Sequence, residues 1–113
     1  MSEMKDNTAR IVNLMQFARK AGKVIAGTEA CLRALHGKDL QLLIIASDTA
    51  PRTINRIENA TADSGKKVPA IRISRRAELS AALGLFLTAV YGILDRQFAS
   101  KMLEYHAARQ VEK

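Results

Sequence analysis

The sequence predicts an α/β fold, a three-layer α/β/α sandwich on a mixed four-stranded sheet. Two observations support this prediction: amphipathic stretches alternate with short apolar runs along the chain, and those runs are apolar at consecutive positions rather than at every second one. Such strands are covered on both faces, which requires helices above and below the sheet. With 113 residues and no linker or repeat, residues 1–113 are expected to form one domain.

The N-terminal part of the chain predicts two helices separated by a brief strand. Residues 7–21 have the apolar spacing of an amphipathic helix, which Asn7 or Thr8 would cap. A strand over residues 23–26 follows, because this stretch is too short for a helix and contains β-branched residues. A second helix is expected over residues 28–36, with its N-cap at Thr28.

The remainder of the chain alternates strands and helices, each bounded by residues that favour turns or caps. The elements expected in order are a strand over residues 40–46, a helix with Pro51 in its first turn, a strand over residues 68–73, a helix over residues 75–83 capped by Ser74 and stopped by Gly84, a strand over residues 87–94 and a last helix capped by Asp95.

The chain is strongly basic, with 18 Lys and Arg against 11 Asp and Glu, a formal charge of +7 and a pI near 10.0. This balance favours a polyanionic partner, of which nucleic acid is the usual one for a soluble basic domain. A solvated surface of lysines and arginines without a partner is the alternative. The single cysteine, the apolar run of only 12 residues at 83–94 and the absence of a signal-like N-terminus indicate a cytoplasmic protein with no membrane contact.

The joint between the first strand and the second helix predicts an anion site. Gly27 and Thr28 turn the chain into the helix and leave backbone N–H groups exposed at its start, where anions bind. Lys20, Lys23 and Arg33 are near in sequence, so the expected anion is phosphate. Ligands of such sheets gather at loops on one edge, where we expect the Gly27 turn to meet the Asp48 turn and the loop over residues 84–88.

Three patterns that resemble catalytic or metal sites are better explained otherwise. Residues 22–27 have the G-x-x-x-x-G spacing of a P-loop, but Thr28 and Glu29 replace the required Lys-[Ser/Thr], which argues against ATP or GTP binding. Cys31 lies on the apolar stripe of its helix and is expected to be a buried, inert thiol rather than half of a pair with His36. The two histidines are far apart in sequence, so neither a metal site nor a cofactor is expected.

Glu29 and Arg33 are four residues apart on the second helix, which leaves two interpretations open. They form an exposed ion pair of about 0.2 to 0.5 kcal/mol, or Arg33 holds RNA while Glu29 accepts hydrogen bonds from base edges. The helix start at the expected anion site favours the second interpretation.

Several stretches together resemble the kink-turn RNA-binding family that includes the archaeal ribosomal protein L-seven-Ae, ribosomal protein L-thirty-e and, nearest, the bacterial YlxQ/YbxF-type proteins. The stretches are FARKAGKVIAG (17–27), the spacing from Gly27 to Arg33, LLIIASD (42–48), SRRAELSAALG (74–84) and DRQFASKML (95–103). The resemblance implies a sandwich that grips sharply bent RNA with the start of its second helix and the loop before its last strand.

The family's helix start has the form Gly-x-Asn-Glu-x-x-Lys, and its Asn and Glu read guanines. Gly27 and Arg33 match by position, with Thr28 at the variable residue, whereas Glu29 and Ala30 depart. The resemblance therefore implies weaker binding to a standard kink-turn than its relatives show. The loop that packs against splayed bases corresponds to Leu85, Phe86, Leu87 and Thr88; the alternative is a strand edge that continues the core.

The sequence thus predicts a non-enzymatic protein that binds structured, kink-turn-like RNA, ribosomal RNA or a ribosome-associated particle being the expected target. A monomer or weak dimer is expected. The alternative is a protein-interaction module that keeps the fold and has lost RNA binding, and a ligand-binding or catalytic role comes third.

Overall fold

The computed structural model describes residues 3–37 and 39–111. Within these ranges helices and strands alternate after the first helix, as the sequence predicts. In chain order they are α1 (Glu3–Lys20), β1 (Val24–Ala26), α2 (Thr28–Ala34), β2 (Leu42–Ala46), α3 (Pro51–Ser64), β3 (Ala70–Ile73), α4 (Arg76–Leu83), β4 (Val90–Ile93) and α5 (Arg96–Val111).

The four strands form one mixed sheet in the order β1-β4-β2-β3. β4 is antiparallel to both β1 and β2, while β2 and β3 are parallel and joined through α3. This arrangement confirms the predicted fold class. β4 lies in the interior of the sheet, and β1 and β3 are its outer strands.

Alternate residues of β2 enter two separate cores, one on each face of the sheet. Ile44 packs with residues of α1, α4 and α5, among them Met15 and Met102. Leu43 and Ile45 pack on the other face with residues of α2 and α3. All five residues of β2 are buried, which explains why this strand is apolar at every position.

Three predicted N-caps are wrong. α1 begins at Glu3, so Asn7 and Thr8 lie inside the helix, and Asn7 is buried there; the preceding residues contain no helix breaker that would stop it. Thr28 is the first residue of α2, whose N-cap is Gly27. Ser74 has φ 46° and precedes the actual N-cap of α4, Arg75.

The predicted starts and ends of other elements are partly right. Pro51 opens α3, Gly84 ends α4 in the left-handed conformation, and Asp95 Oδ1 accepts the Phe98 N–H at 2.9 Å as an N-cap does. The last strand begins at Val90 rather than at residue 87, because β1 ends opposite Tyr91 and the last residue of β2, Ala46, reaches only Ala89 with its N–H, which leaves residues 87 and 88 without a strand to pair with. The other strands and α2 differ from prediction by one or two residues at one end.

Cys31 is fully buried in the core between the sheet and the helices α2 and α3. Desolvation raises the pKa of its thiol from 9.0 to about 12, so the thiolate that reacts with electrophiles is absent at neutral pH. The expectation that this cysteine is buried is confirmed.

Replacing Cys31 by serine should lower the free energy of unfolding by about 1 to 2 kcal/mol, because a hydroxyl is costlier to bury than a thiol.

The free energy of unfolding of the wild type should fall as the pH rises from 9.0 towards about 12, because the Cys31 thiol ionises at lower pH in the unfolded chain than in the folded protein. Denaturation of wild type and Cys31→Ala at neutral and alkaline pH isolates this contribution. Rapid labelling of the native protein by a thiol reagent would contradict the burial.

Candidate functional site

Turns from four strands meet at one end of the sheet, which we call the loop end. The chain leaves β1, β2 and β3 there and enters β4, because β4 runs against its two neighbours. Three backbone hydrogen bonds join the segments: from Gly27 N to Val90 O (2.8 Å), from Ala46 N to Ala89 O (2.8 Å) and from Ser47 N to Ser74 O (2.7 Å). The Gly27 turn, the Asp48 turn and the loop before β4 therefore lie side by side.

Gly27 turns the chain from β1 into α2 with a backbone that glycine adopts readily. Its φ is 106° and its ψ is 146°, and it is the N-cap of α2 without a side-chain hydrogen bond to the helix. Thr28 is half-buried and Glu29 is exposed in the first turn. The N–H groups at the start of α2 are thus not satisfied by a capping side chain.

Glu29 forms its ion pair with α3 rather than with Arg33. Its Oε2 lies 2.6 Å from Nη1 of Arg56, and both side chains are largely exposed. The hydrogen bond from Arg56 is the main cause that lowers the pKa of Glu29, with a smaller contribution from the charge of Arg33. The ion pair between Glu29 and Arg33, one of the two interpretations of their spacing, is therefore not formed, and Arg33 has no carboxylate partner among the described residues.

The three cations expected at the helix start are not gathered around Gly27. Lys23 O accepts a hydrogen bond from Leu94 N at the opposite end of β1, about 13 Å away for a strand of this length. Lys20 borders a cleft of about 260 Å³ between the ends of α1 and α4. Arg33, in the last turn of α2, lines a groove of about 420 Å³ together with Ala30.

The loop before β4 presents two large apolar side chains to solvent. Phe86 is 94% exposed and Leu87 is 63% exposed, whereas Leu85 packs against the core. The loop is nevertheless anchored: the Thr88 N–H donates to Ser80 Oγ at 2.8 Å, and Ser80 Oγ lies 3.1 Å from the buried Tyr91 hydroxyl. Segment 85–88 is therefore not a strand edge, and only its first residue joins the core.

Asp48 holds the start of α4. Its Oδ1 accepts the Arg76 N–H at 2.9 Å and its Oδ2 lies 3.4 Å from Arg76 Nε. The backbone hydrogen bond is the main cause that lowers the pKa of Asp48. This carboxylate thus orients Arg76 and offsets its charge.

Arginines that the sequence interpretation did not single out surround the same loops. Three of them, exposed at the turn from β3 to α4, form what we call the arginine corner: Arg72, Arg75 and Arg76. The first two turns of α3, which also begins at the loop end, add Arg52 and Arg56. The pair Arg75-Arg76 directly after a predicted strand was the available signal, because strand ends at one edge converge.

No cluster of three or more His, Cys, Asp or Glu in the described part of the chain is placed to hold a metal ion. No helix within the same ranges is long and apolar enough to cross a bilayer.

Comparison with known proteins gives a consistent result. The sequence model of the "Ribosomal protein L7Ae/L30e/S12e/Gadd45 family" matches residues 9–103. The RNA-binding protein YlxQ of Enterococcus faecium is 28% identical over 98 residues, which cover 87% of this chain and 92% of that protein. The large ribosomal subunit protein eL8 of Thermoplasma volcanium is 25% identical over 92 residues, covering 80% of this chain and 74% of that protein.

Two solved structures share the fold. A protein with unknown function from Bacillus halodurans C superimposes with a TM-score of 0.78 at 23% identity, covering 86% of this chain and 96% of that one. The Giardia lamblia 15.5kD RNA binding protein superimposes with a TM-score of 0.74 at 20% identity, covering 96% of this chain and 92% of that one. At these identities the two structures show the fold alone.

Proposed function

Because the chain belongs to the ribosomal protein L7Ae/L30e/S12e/Gadd45 family, we propose that it is a non-catalytic protein that binds structured, kink-turn-like RNA. Relatives named as an RNA-binding protein and as a large ribosomal subunit protein support this proposal and favour ribosomal RNA as the target. We further propose that it acts in the cytoplasm.

The observation that carries the proposal is the exposed pair Phe86 and Leu87 at the loop end, where α2 also begins with an N-cap, Gly27, that has no side chain to bond its N–H groups. Unstacked RNA bases pack on exposed aromatic and apolar side chains, while cations nearby hold the backbone. We assign the contacts with splayed bases to Phe86 and Leu87, and the contacts with the sharply bent RNA backbone to Gly27 and Thr28. Phe86 and Leu87 are adjacent and together form an exposed apolar patch, which favours an interaction site more than a single exposed side chain does.

The lysines at the far end of β1 have a different role in this proposal. Lys20 and Lys23 lie too far from Gly27 to share one phosphate with it, so they attract RNA through the overall field of a chain with charge +7. Arg33 lines a groove with Leu94 at the same end of the sheet as Lys23, and it contacts RNA that follows α2. Glu29 is held by Arg56, so its charge is offset where the backbone approaches.

Replacing Phe86 by alanine should weaken binding of a kink-turn RNA by about 1 to 2 kcal/mol, because a base is deprived of its stacking partner. Phe17 provides a matched control, since it is 60% exposed but lies in the last turn of α1, at the opposite end of the sheet. Phe17→Ala should bind RNA like the wild type. The measurement is a fluorescence titration of one labelled RNA with all three proteins at several salt concentrations.

Affinity of all three proteins should fall as salt rises, because phosphate contacts release counterions. Equal affinities for Phe86→Ala, Phe17→Ala and wild type would remove the loop from the interface. If purified protein carries no nucleic acid and binds no structured RNA at low salt, the alternative, a protein-interaction module that uses Phe86 and Leu87, is favoured instead.

A further inference from the structure

The arginine corner is a basic surface that the proposed contacts at Gly27 and Phe86 do not use. Arg72, Arg75 and Arg76 lie within five positions of one another, and all three side chains are exposed. Clustered cations repel one another, so such a surface lowers stability unless an anion offsets it. The corner is therefore a candidate site for an anionic partner.

The backbone of the corner is fixed in a conformation that a residue other than glycine adopts rarely. Ser74 has φ 46°, and its carbonyl oxygen accepts hydrogen bonds from both the N–H and the hydroxyl of Ser47, at 2.7 and 3.0 Å. Outliers of this kind persist where the surrounding contacts hold them, and they concentrate at binding sites.

The same turn after β2 orients two of the guanidinium groups. Arg72 Nη2 donates to the carbonyl oxygen of Ser47 at 3.1 Å, and Asp48 holds both the backbone N–H and the Nε of Arg76. The side chains are thus directed before a partner arrives, which lowers the entropy cost of binding.

The charges of two arginines remain available. Asp48 is paired with Arg76, and Glu78 accepts the backbone N–H of Arg75. No carboxylate of the described residues lies within ion-pair distance of the Arg72 or Arg75 guanidinium. The corner consequently keeps a net positive charge despite the acidic residues beside it.

The corner lies on the same end of the sheet as the proposed RNA contacts. β3 and β1 are the two outer strands, so three strand spacings, about 14 Å, separate Ser74 from Gly27. An RNA that binds at Gly27 and Phe86 and continues along the loop end reaches the corner. Large exposed apolar side chains of the described residues are confined to Phe17, Phe86 and Leu87, so the corner lacks the apolar centre typical of a protein interface.

We propose that the arginine corner binds backbone phosphates of a second RNA segment, the helical arm that continues beyond the bend. This inference rests on the proposed function and enlarges the protein surface that contacts RNA. Arg72 and Arg75 contact the phosphates, since the planar guanidinium matches phosphate geometry. Asp48 holds Arg76 at the start of α4 and offsets its charge, so Arg76 is not one of the proposed phosphate contacts.

The test compares Arg75→Ala and Arg72→Ala with Arg96→Ala, which removes the same charge from an exposed site at the start of α5, at the opposite end of the sheet. Each is titrated with a bent RNA that has two long arms and with the same RNA after either arm is shortened. Both corner variants should bind the long RNA about 3- to 10-fold more weakly. Their slope of log affinity against log salt should become shallower by about 0.7 to 0.9 for each phosphate that is no longer neutralised.

The loss of affinity in the two corner variants should disappear when the contacted arm is shortened. Arg96→Ala should bind every RNA with the affinity of the wild type. Thermal unfolding of each variant verifies that it is folded. The inference is wrong if both corner variants bind the long RNA like wild type, or if Arg96→Ala weakens binding as much as they do. Failure of the wild type to bind any of the RNAs would instead overturn the proposed function.

Discussion

Replacing Gly27 by alanine should lower the free energy of unfolding by about 2 to 3 kcal/mol and weaken RNA binding as well. A φ of 106° with a ψ of 146° is strained for any L-residue with a side chain. Apart from Gly27 and its two neighbours in the chain, no atom would lie within 4 Å of a Cβ at this position, so the cost is conformational rather than a clash. Relief requires the turn to rotate, which breaks the hydrogen bonds from Gly27 N to Val90 O and from Cys31 N to Gly27 O.

Gly22 offers the control for this substitution. It has φ 75°, also with open space around the built Cβ, but it lies before β1, away from the loop end. Gly22→Ala should cost about 1 to 2 kcal/mol of stability and leave the affinity of the folded protein unchanged. Urea denaturation and RNA titration of both variants make the comparison. An equal drop in affinity in the two would mean that binding follows stability, and Gly27 would have no special part in the site.

The double substitution Glu29→Asn with Ala30→Glu should tighten binding to a kink-turn and make it depend on the G·A pairs. In the wild type, Glu29 is ionised and directed to Arg56, while Ala30 lines the groove shared with Arg33. Moving the carboxylate by one residue rotates it by about 100° around α2. Each restored base contact should contribute about 1 to 3 kcal/mol, by analogy with bidentate base readout in DNA.

The measurement is a side-by-side titration against one kink-turn and a variant whose G·A pairs are replaced by Watson–Crick pairs. Glu29→Asn alone is the control, because it releases Arg56 and should strengthen binding to both RNAs by similar factors. Only the double variant should discriminate between them. If the wild type already discriminates between the two RNAs as strongly as the double variant does, Glu29 recognises the G·A pairs itself. The prediction that the wild type binds a kink-turn weakly because of Glu29 is then wrong.

The fold was predictable because its determinants are local in sequence. The apolar spacing around Ile11 and Met15 indicates a helix, and the consecutive apolar residues of β2 indicate a strand covered on both faces, which its five buried positions confirm. The predicted caps were less secure, since Asn7 favours a helix start but the residues before it continue the helix. Local preference identifies an element better than it identifies the element's first residue.

The site was only partly predictable, because its contacts join residues distant in sequence. Glu29 reaches Arg56, and Asp48 reaches Arg76; no periodicity indicates either pair. The hydrogen bond from Thr88 N–H to Ser80 Oγ could not be predicted from the sequence either, because a serine within a helical pattern does not indicate which residue it will bond. Nearness in sequence was misleading for Lys23, which an extended strand separates from Gly27.

The strand order determines when the sheet can form during synthesis of the chain. β4, the last strand of the described chain, is the one inserted between β1 and β2. During synthesis at about 5 to 20 residues per second, β1 is therefore made several seconds before β4, its neighbour in the sheet. Until then Gly27 lacks its hydrogen-bond partner Val90, and Phe86 is synthesised only four residues before Val90. We expect the growing chain to be unable to bind bent RNA until β4 has inserted between β1 and β2. RNA binding would therefore begin only after the sheet has formed.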